Sequence, residues 1–226
     1  MKGYLLFVDV ETSGMPSSIK SPITRLDKWP YLIQIAWQIY DFERNLIKTE
    51  NHFVYEEGIS IDIESQKIHG ITLDELRIKG KPRRLVIERF IADYNYYNPI
   101  LVGHFVELDH KMLQVAMIRS GLENILADAR SFCTMIASKA MNPFKKGKYL
   151  KLEELYNRLF VSKIDRTHDA LLDVQATVKC YFQLAEQRLL EIGQFSQETK
   201  SNPGKSSLGC GLPFVVLLIL IFWMIL

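Results

Sequence analysis

Two acids, Asp9 and Glu11, stand two positions apart at the end of an unbroken apolar run, Tyr4-Leu5-Leu6-Phe7-Val8. Alternate residues of a strand face the same side, so both carboxylates leave one face of a strand that the run marks as buried. Carboxylates held together at the mouth of a core repel each other and are costly to desolvate; a hard divalent cation with oxygen ligands relieves both penalties. Two solvated acids at a strand end are the plain alternative. Two further acids stand out by context. Asp109 lies in a helix start that follows Ile100-Leu101-Val102-Gly103, and Asp173 closes the run His168-Asp169-Ala170-Leu171-Leu172-Asp173. Four carboxylates suffice for two Mg²⁺ or Mn²⁺ ions. In two-metal sites the ions sit about 3.5–4 Å apart and bracket an in-line displacement at phosphorus, one preparing the attacking water and one steadying the departing oxyanion. His168 supplies a base for that water, since an ordinary imidazole titrates near pH 6.5. Five helical positions separate His168 from Asp173, about 140° by angle, so His168 reaches the same site only if it sits in the loop just before the helix.

The elements that must carry these residues follow from periodicity and punctuation. A polar loop with Pro16, Ser17, Ser18 and Pro22 follows the Ser13-Gly14 turn. Leu32 to Tyr40 reads as a strand, Asp41 to Asn45 as a turn, and Leu46 to Tyr55 as the returning strand of a hairpin. Glu64 to Ile68 reads as a short helix, and Thr72 with Glu75 forms a capping-box pattern. Pro82 opens a helix whose apolar face is Leu85, Ile87, Phe90, Ile91 and Tyr94. Ile100 to Gly103 is a buried strand. The next helix carries Leu108, Met112, Val115, Ala116 and Leu122, and a short strand lies around Ala129 to Cys133, with a helix from Thr134. Leu152, Leu155, Tyr156 and Leu159 mark an amphipathic helix, and His168 to Leu190 reads as one long helix. Early strands in hairpins followed by alternating helices and strands predict an α/β fold, a mixed sheet flanked by helices.

Composition bounds the rest. Of 226 residues, 48% are hydrophobic and 24% charged, as in ordinary globular chains, and the net charge is only +2. Nucleic-acid contact must therefore come from local basic clusters rather than bulk charge. Cys133, Cys180 and Cys210 are far apart and form neither a CxxC pair nor a disulfide framework, which fits a reducing compartment. The first apolar run is short and followed at once by acids, so it is no signal peptide. At the other end no charged side chain follows Lys205, and Phe214 to Leu226 is wholly apolar. The 21 uncharged residues 206–226 would span roughly 30 Å as a helix, close to a hydrocarbon core. The expected organisation is a catalytic domain over 1–190, a flexible polar linker over 191–205 and a C-terminal membrane segment over 206–226. Lys200 and Lys205 on the near side keep the catalytic domain cytoplasmic. The strict apolar run is 13 residues, so an interfacial or re-entrant tail is the alternative to a single pass.

These motifs, taken together, resemble the DEDDh exonucleases, the group that includes the ε proofreading subunit of DNA polymerase III and ribonuclease T. Phe7-Val8-Asp9-Val10-Glu11-Thr12-Ser13-Gly14 is similar to the family's DxET[TS]G, and Ile68-His69-Gly70-Ile71-Thr72 to its IHGIT segment. Gly103-His104 through Asp109 resembles the second motif. His168 to Asp173 with Ala176-Thr177 resembles the third, HDAxxDxxAT. The resemblance spans residues 4 to about 187. It implies a ribonuclease H-like fold with a mixed five-stranded sheet. It implies Asp9, Glu11, Asp109 and Asp173 as metal ligands, His168 as general base, and 3′→5′ release of nucleoside 5′-monophosphates from DNA or RNA. It leaves a homodimer or a polymerase partner open. The second motif departs from the pattern: Phe105 stands where the family usually has Asn, and Leu108 where it has Phe.

Further substrate contacts are expected from Thr12 and Ser13, against turn formation; from Phe105 by stacking; and from the basic loop Lys145, Lys146 and Lys148, against simple solvation. Arg83 and Arg84 are a second basic pair. His110 reads as surface, His104 and His69 as structural. The alternative function is a catalytically weak, membrane-anchored nucleic-acid-binding scaffold on the same fold.

Overall fold

The computed structural model describes residues 3–141, 149–162, 164 and 168–187. Its spine is β1 (Tyr4–Thr12), flanked on one side by the antiparallel strands β2 (Leu32–Asp41) and β3 (Leu46–Tyr55). On the other side lie the parallel strands β5 (Ile100–Gly103) and β6 (Ser131–Cys133). A sixth strand, β4 (Lys81–Pro82), pairs parallel to the outer edge of β3, giving the order β4-β3-β2-β1-β5-β6. The sheet is thus mixed, as expected, but has six strands rather than five. The extra strand is two residues long and ends in a proline, which lacks a donor and is tolerated at a sheet edge.

The pleat of β1 sorts its side chains into two cores. Leu6, Val8 and Val10 point into one with Val86, Ile87 and Phe90 of α3 (Arg83–Tyr97) and Met112, Val115 and Ala116 of α4 (Val106–Arg119). Leu5 and Phe7 point into the other with Leu155 of α6 (Leu152–Phe160) and Ala170, Val174 and Val178 of α7 (Ala170–Glu186). Asp9 and Glu11 continue the Leu5–Phe7 row, so the sheet face that packs on α7 becomes acidic at its end.

Three short α-helices, α1 (Ile63–His69), α2 (Leu73–Lys79) and α5 (Thr134–Ala137), and two 3-10 turns, Leu26–Lys28 and Ser138–Met141, complete the described chain. The Thr72 hydroxyl caps α2 by accepting from the Glu75 N–H. The predicted long helix from His168 starts at Ala170 instead. Asp169 is its N-cap, with Oδ1 accepting from the N–H groups of Leu171 and Leu172, and His168 sits before it. Among the described residues no helix is long and apolar enough to cross a membrane. The predicted linker 191–205 and apolar tail 206–226 lie outside the described residues, as do Lys145, Lys146 and Lys148.

Candidate active site

The four acids arrive from three elements, each for a local reason. Asp9 and Glu11 lie where β1 outruns β5: the parallel pairing stops at Phe7 opposite Val102. The Val10 N–H, past that end, is satisfied by the Oδ1 of Asp109 at 3.2 Å. Asp109 stands in the first turn of α4, where a helix favours negative charge. It reaches the sheet beside Gly103, where an added Cβ would lie 3.1 Å from its Oδ2. Asp173 comes from the first turn of α7, on the opposite face.

One carboxylate oxygen from each of Asp9, Glu11 and Asp173 lies within 4.8 Å of the others. At that spacing each ionised pair repels by about 3 kcal/mol at an effective dielectric near 20. Asp109 is buried immediately behind this trio. Burial, opposed by the N–H groups it accepts from and reinforced by the charge of Asp173, pushes its carboxyl up to about 8. Three oxygen ligands converge in front of a fourth acid whose ionised form burial disfavours. That donor set fits a hard divalent cation, whose charge reverses the penalty on all four.

The cleft in front of the trio has a volume of about 350 Å³ and is lined by Asp9, Asp173, His168, His104, Met135, Lys151, Leu152 and Glu153. His168 is half-buried and has a left-handed backbone, φ +48°. It lies in the loop before α7, the position that lets it share a cleft with Asp173 despite their angular separation along a helix. His104 is pinned between the Thr134 hydroxyl and the Leu150 carbonyl, at 3.0 and 3.1 Å. His69 is 7% exposed; its Nδ1 accepts from the Ile71 N–H. Burial lowers its imidazole below the ordinary histidine value, as does the nearby His168, while a backbone contact from Thr12 opposes this.

Other expected contacts fall elsewhere. Thr12 donates its hydroxyl to the Gly14 carbonyl, and the Ser13 hydroxyl accepts from the Tyr31 N–H. Both hydroxyls thereby serve the turn that follows β1. Phe105, at the start of α4 with φ +71°, lines a neighbouring pocket of about 390 Å³ with Cys133, Met135 and Tyr149; Met135 separates it from the acidic cleft. Arg83 is engaged by Glu56, Ser120 and the Arg119 carbonyl, and Arg84 by Glu88, so neither faces the acids. His110 is half-buried rather than on the surface, its Nε2 2.7 Å from the Leu126 carbonyl; a turn of chain after α4 folds back over it.

Sequence reasoning passed over two residues that the structure brings to this region. Lys151 precedes α6 and places an exposed cation on the cleft wall. Its signal was a lysine next to an amphipathic helix start. Gln34 was legible as the one amide in the apolar stretch Leu32–Trp37, and it is wholly buried.

A family model described as Exonuclease, RNase_T, matches residues 6–181. No curated protein sequence matches the chain. Among solved structures it is similar to E. coli exonuclease I bound to a dA16 oligonucleotide (21% identity, TM-score 0.66) and to the zinc-bound E. coli exonuclease I–single-stranded DNA complex (21%, 0.68). It is also similar to a moderately thermophilic exonuclease I from Methylocaldum szegediense (21%, 0.66). In each case 84% of this chain covers 42% of the other, so the chain spans less than half the length of these enzymes. The chain belongs to the exonuclease family, in its DEDDh group.

Proposed function

We propose that this chain is a metal-dependent 3′→5′ exonuclease that hydrolyses phosphodiester bonds at the 3′ end of DNA or RNA and releases nucleoside 5′-monophosphates. The observation that carries the reading is the convergence of the Asp9, Glu11 and Asp173 carboxylates beside a cleft that Asp9, Asp173 and His168 line, with Asp109 buried behind. Asp9, Glu11, Asp109 and Asp173 would hold the divalent cations, Mg²⁺ or Mn²⁺. When bound, these supply Lewis-acid stabilisation of charge on the phosphoryl oxygens and on the leaving 3′-oxygen. His168, on the cleft wall, accepts the proton of the attacking water. Its place in the loop rather than in the helix leaves the ring free of the angular constraint that α7 imposes on Asp173. Lys151 faces the same cleft and attracts the phosphate backbone. E. coli exonuclease I has been solved with single-stranded DNA, which supports a single-stranded or 3′-ended substrate.

The same proposal assigns residues 1–190 to the nuclease domain, 191–205 to a linker and 206–226 to a membrane segment that keeps the nuclease at the cytoplasmic face. Its support is the absence of charge after Lys205 and the apolar run Phe214 to Leu226. Polarity and substrate are tested together by digesting 5′-labelled ribo- and deoxyribo-oligonucleotides of one sequence in Mg²⁺. A descending ladder of labelled products is expected. Immediate release of a labelled mononucleotide would establish the opposite polarity and end the proposal.

A further inference from the structure

The base His168 is held by its backbone at an unusual angle, and the question is what fixes it there. A left-handed backbone at a non-glycine residue costs roughly 1–2 kcal/mol and persists only where the surroundings impose it. The next residue, Asp169, is gripped from two sides. Its Oδ1 accepts from the Leu171 and Leu172 N–H groups, which ties it to α7. Its Oδ2 accepts from the side-chain Nε2 of Gln34, at 2.9 Å, which ties it to the sheet.

Gln34 makes more than that one bond. Its Oε1 accepts from the Ala170 N–H at 3.3 Å, and its Nε2 also donates to the Asn51 Oδ1 at 3.0 Å. Both amide hydrogens and the carbonyl are therefore used. A side chain that donates to Asp169 and accepts from Ala170 must offer both functions at one planar end, as an amide does. Gln34 is 0% exposed, so it has no water to exchange these partners for, and losing any of them leaves a buried group unsatisfied. Its backbone lies in β2 directly opposite Glu11 in the β1–β2 register. One residue thus joins the strand pair that carries the acids to the residue next to the base.

We propose that Gln34 is a positioning residue for the exonuclease reaction: it clamps Asp169 and the first N–H of α7 to the sheet, and so fixes the reach of His168 toward Asp9 and Glu11. The inference rests on the reading of His168 as general base. It deepens that reading by naming what holds the base.

The test is a double-mutant cycle on the full chain, with Gln34→Met, His168→Ala and the combination assayed on a single-stranded oligonucleotide in saturating Mg²⁺. Methionine keeps the length of glutamine and removes its hydrogen bonds. Gln34→Met is expected to lower kcat about tenfold to hundredfold, the range for a misplaced reacting group, with KM within about twofold. In the His168→Ala background the same change is expected to have almost no further effect. An equal loss of kcat in both backgrounds would overturn the proposal, because Gln34 would then act on something other than His168. So would a Gln34→Met enzyme with wild-type kcat. Full activity in His168→Ala alone would instead overturn the reading of His168 as base, a distinguishable failure. Should Gln34→Met fail to fold, Asp169→Asn retains a helix-capping oxygen while removing the charged acceptor of Gln34. It is expected to show the same kcat-selective loss, smaller in size, and wild-type kcat there would overturn the clamp.

Discussion

Replacing Gly103 by alanine probes the fit of Asp109 behind the acidic trio without replacing a carboxylate. The new methyl group would lie 3.1 Å from the Asp109 Oδ2 and 3.1 Å from both Cβ and Cγ2 of Val106. All three contacts are a few tenths of an ångström inside ordinary van der Waals distance. Overpacking of this kind costs about 1–3 kcal/mol. The backbone of Gly103 is not left-handed, so alanine also gains about 0.4–1 kcal/mol by restricting the unfolded chain. The net expectation is a loss of about 1–2 kcal/mol. For a chain of this size that is a fall in Tm of about 2–4 °C per kcal/mol. Relief comes either from Val106, at the first turn of α4, or from the Asp109 carboxylate, which is tied to the Val10 N–H. Either movement shifts the fourth acid, so half-maximal activity should require about tenfold more Mg²⁺. Thermal melts and Mg²⁺ titrations of turnover measure the two effects separately. Gly14→Ala is the control, since its methyl would meet Asp62 and Pro30 at 3.6 and 3.9 Å, ordinary contact, and Tm should hardly change. A Gly103→Ala enzyme with wild-type Tm and wild-type Mg²⁺ requirement would refute the placement of Asp109 in the metal site.

Three more outcomes follow from the same geometry. The Asp109 carboxyl sits at about 8 in the folded chain, against about 4 unfolded, so between those values the folded state holds a proton that the unfolded state has released. Stability of the protein in EDTA should therefore fall as pH rises through that window, and saturating Mg²⁺ should flatten the slope; calorimetry in EDTA that shows stability rising with pH would contradict it. Lys151→Ala should raise KM severalfold with little change in kcat and reduce the salt dependence of oligonucleotide binding by about one charge, measured by fluorescence anisotropy. Removing residues 206–226 should abolish co-sedimentation with lipid vesicles and leave turnover unchanged; loss of folding on truncation would show the tail to be core instead.

Much of this arrangement was legible in the residues themselves. The apolar run before Asp9, and the spacing of Asp9 and Glu11, already place both acids on one face of a buried strand, because strand periodicity is local. The start of α7 reads two residues early in the sequence, at His168, because the Asp169 cap that ends the loop shows itself only through its bonds to Leu171 and Leu172; the angle to Asp173 signalled only that His168 needed a loop position to share the site. The sixth strand was not, because Lys81-Pro82 reads as the approach to α3 and its pairing with Val54 and Tyr55 is a tertiary event. The way Asp109 enters was hidden too. It depends on β5 stopping at Gly103, one strand away, which leaves the Val10 N–H for a carboxylate to satisfy. Gln34 shows the same limit most clearly: its isolated amide was visible, but its partner Asp169 lies 135 positions away. The double duty of Phe105, as a left-handed helix start and a pocket wall, likewise appears only once α4 and β6 are in place.

The most direct measurement of the central claim is the turnover of a 5′-labelled single strand by purified wild-type and Asp9→Asn chains, in Mg²⁺ and in EDTA. Asp9→Asn keeps the size of the side chain and removes one charge from the trio. The wild type should shorten the strand stepwise and release nucleoside 5′-monophosphates in Mg²⁺, with no release in EDTA. Asp9→Asn should lose turnover by a factor of at least about 100, with an unchanged melting profile. Equal release by the two chains, or release by the wild type in EDTA, would contradict a metal-dependent nuclease built on Asp9, Glu11, Asp109 and Asp173.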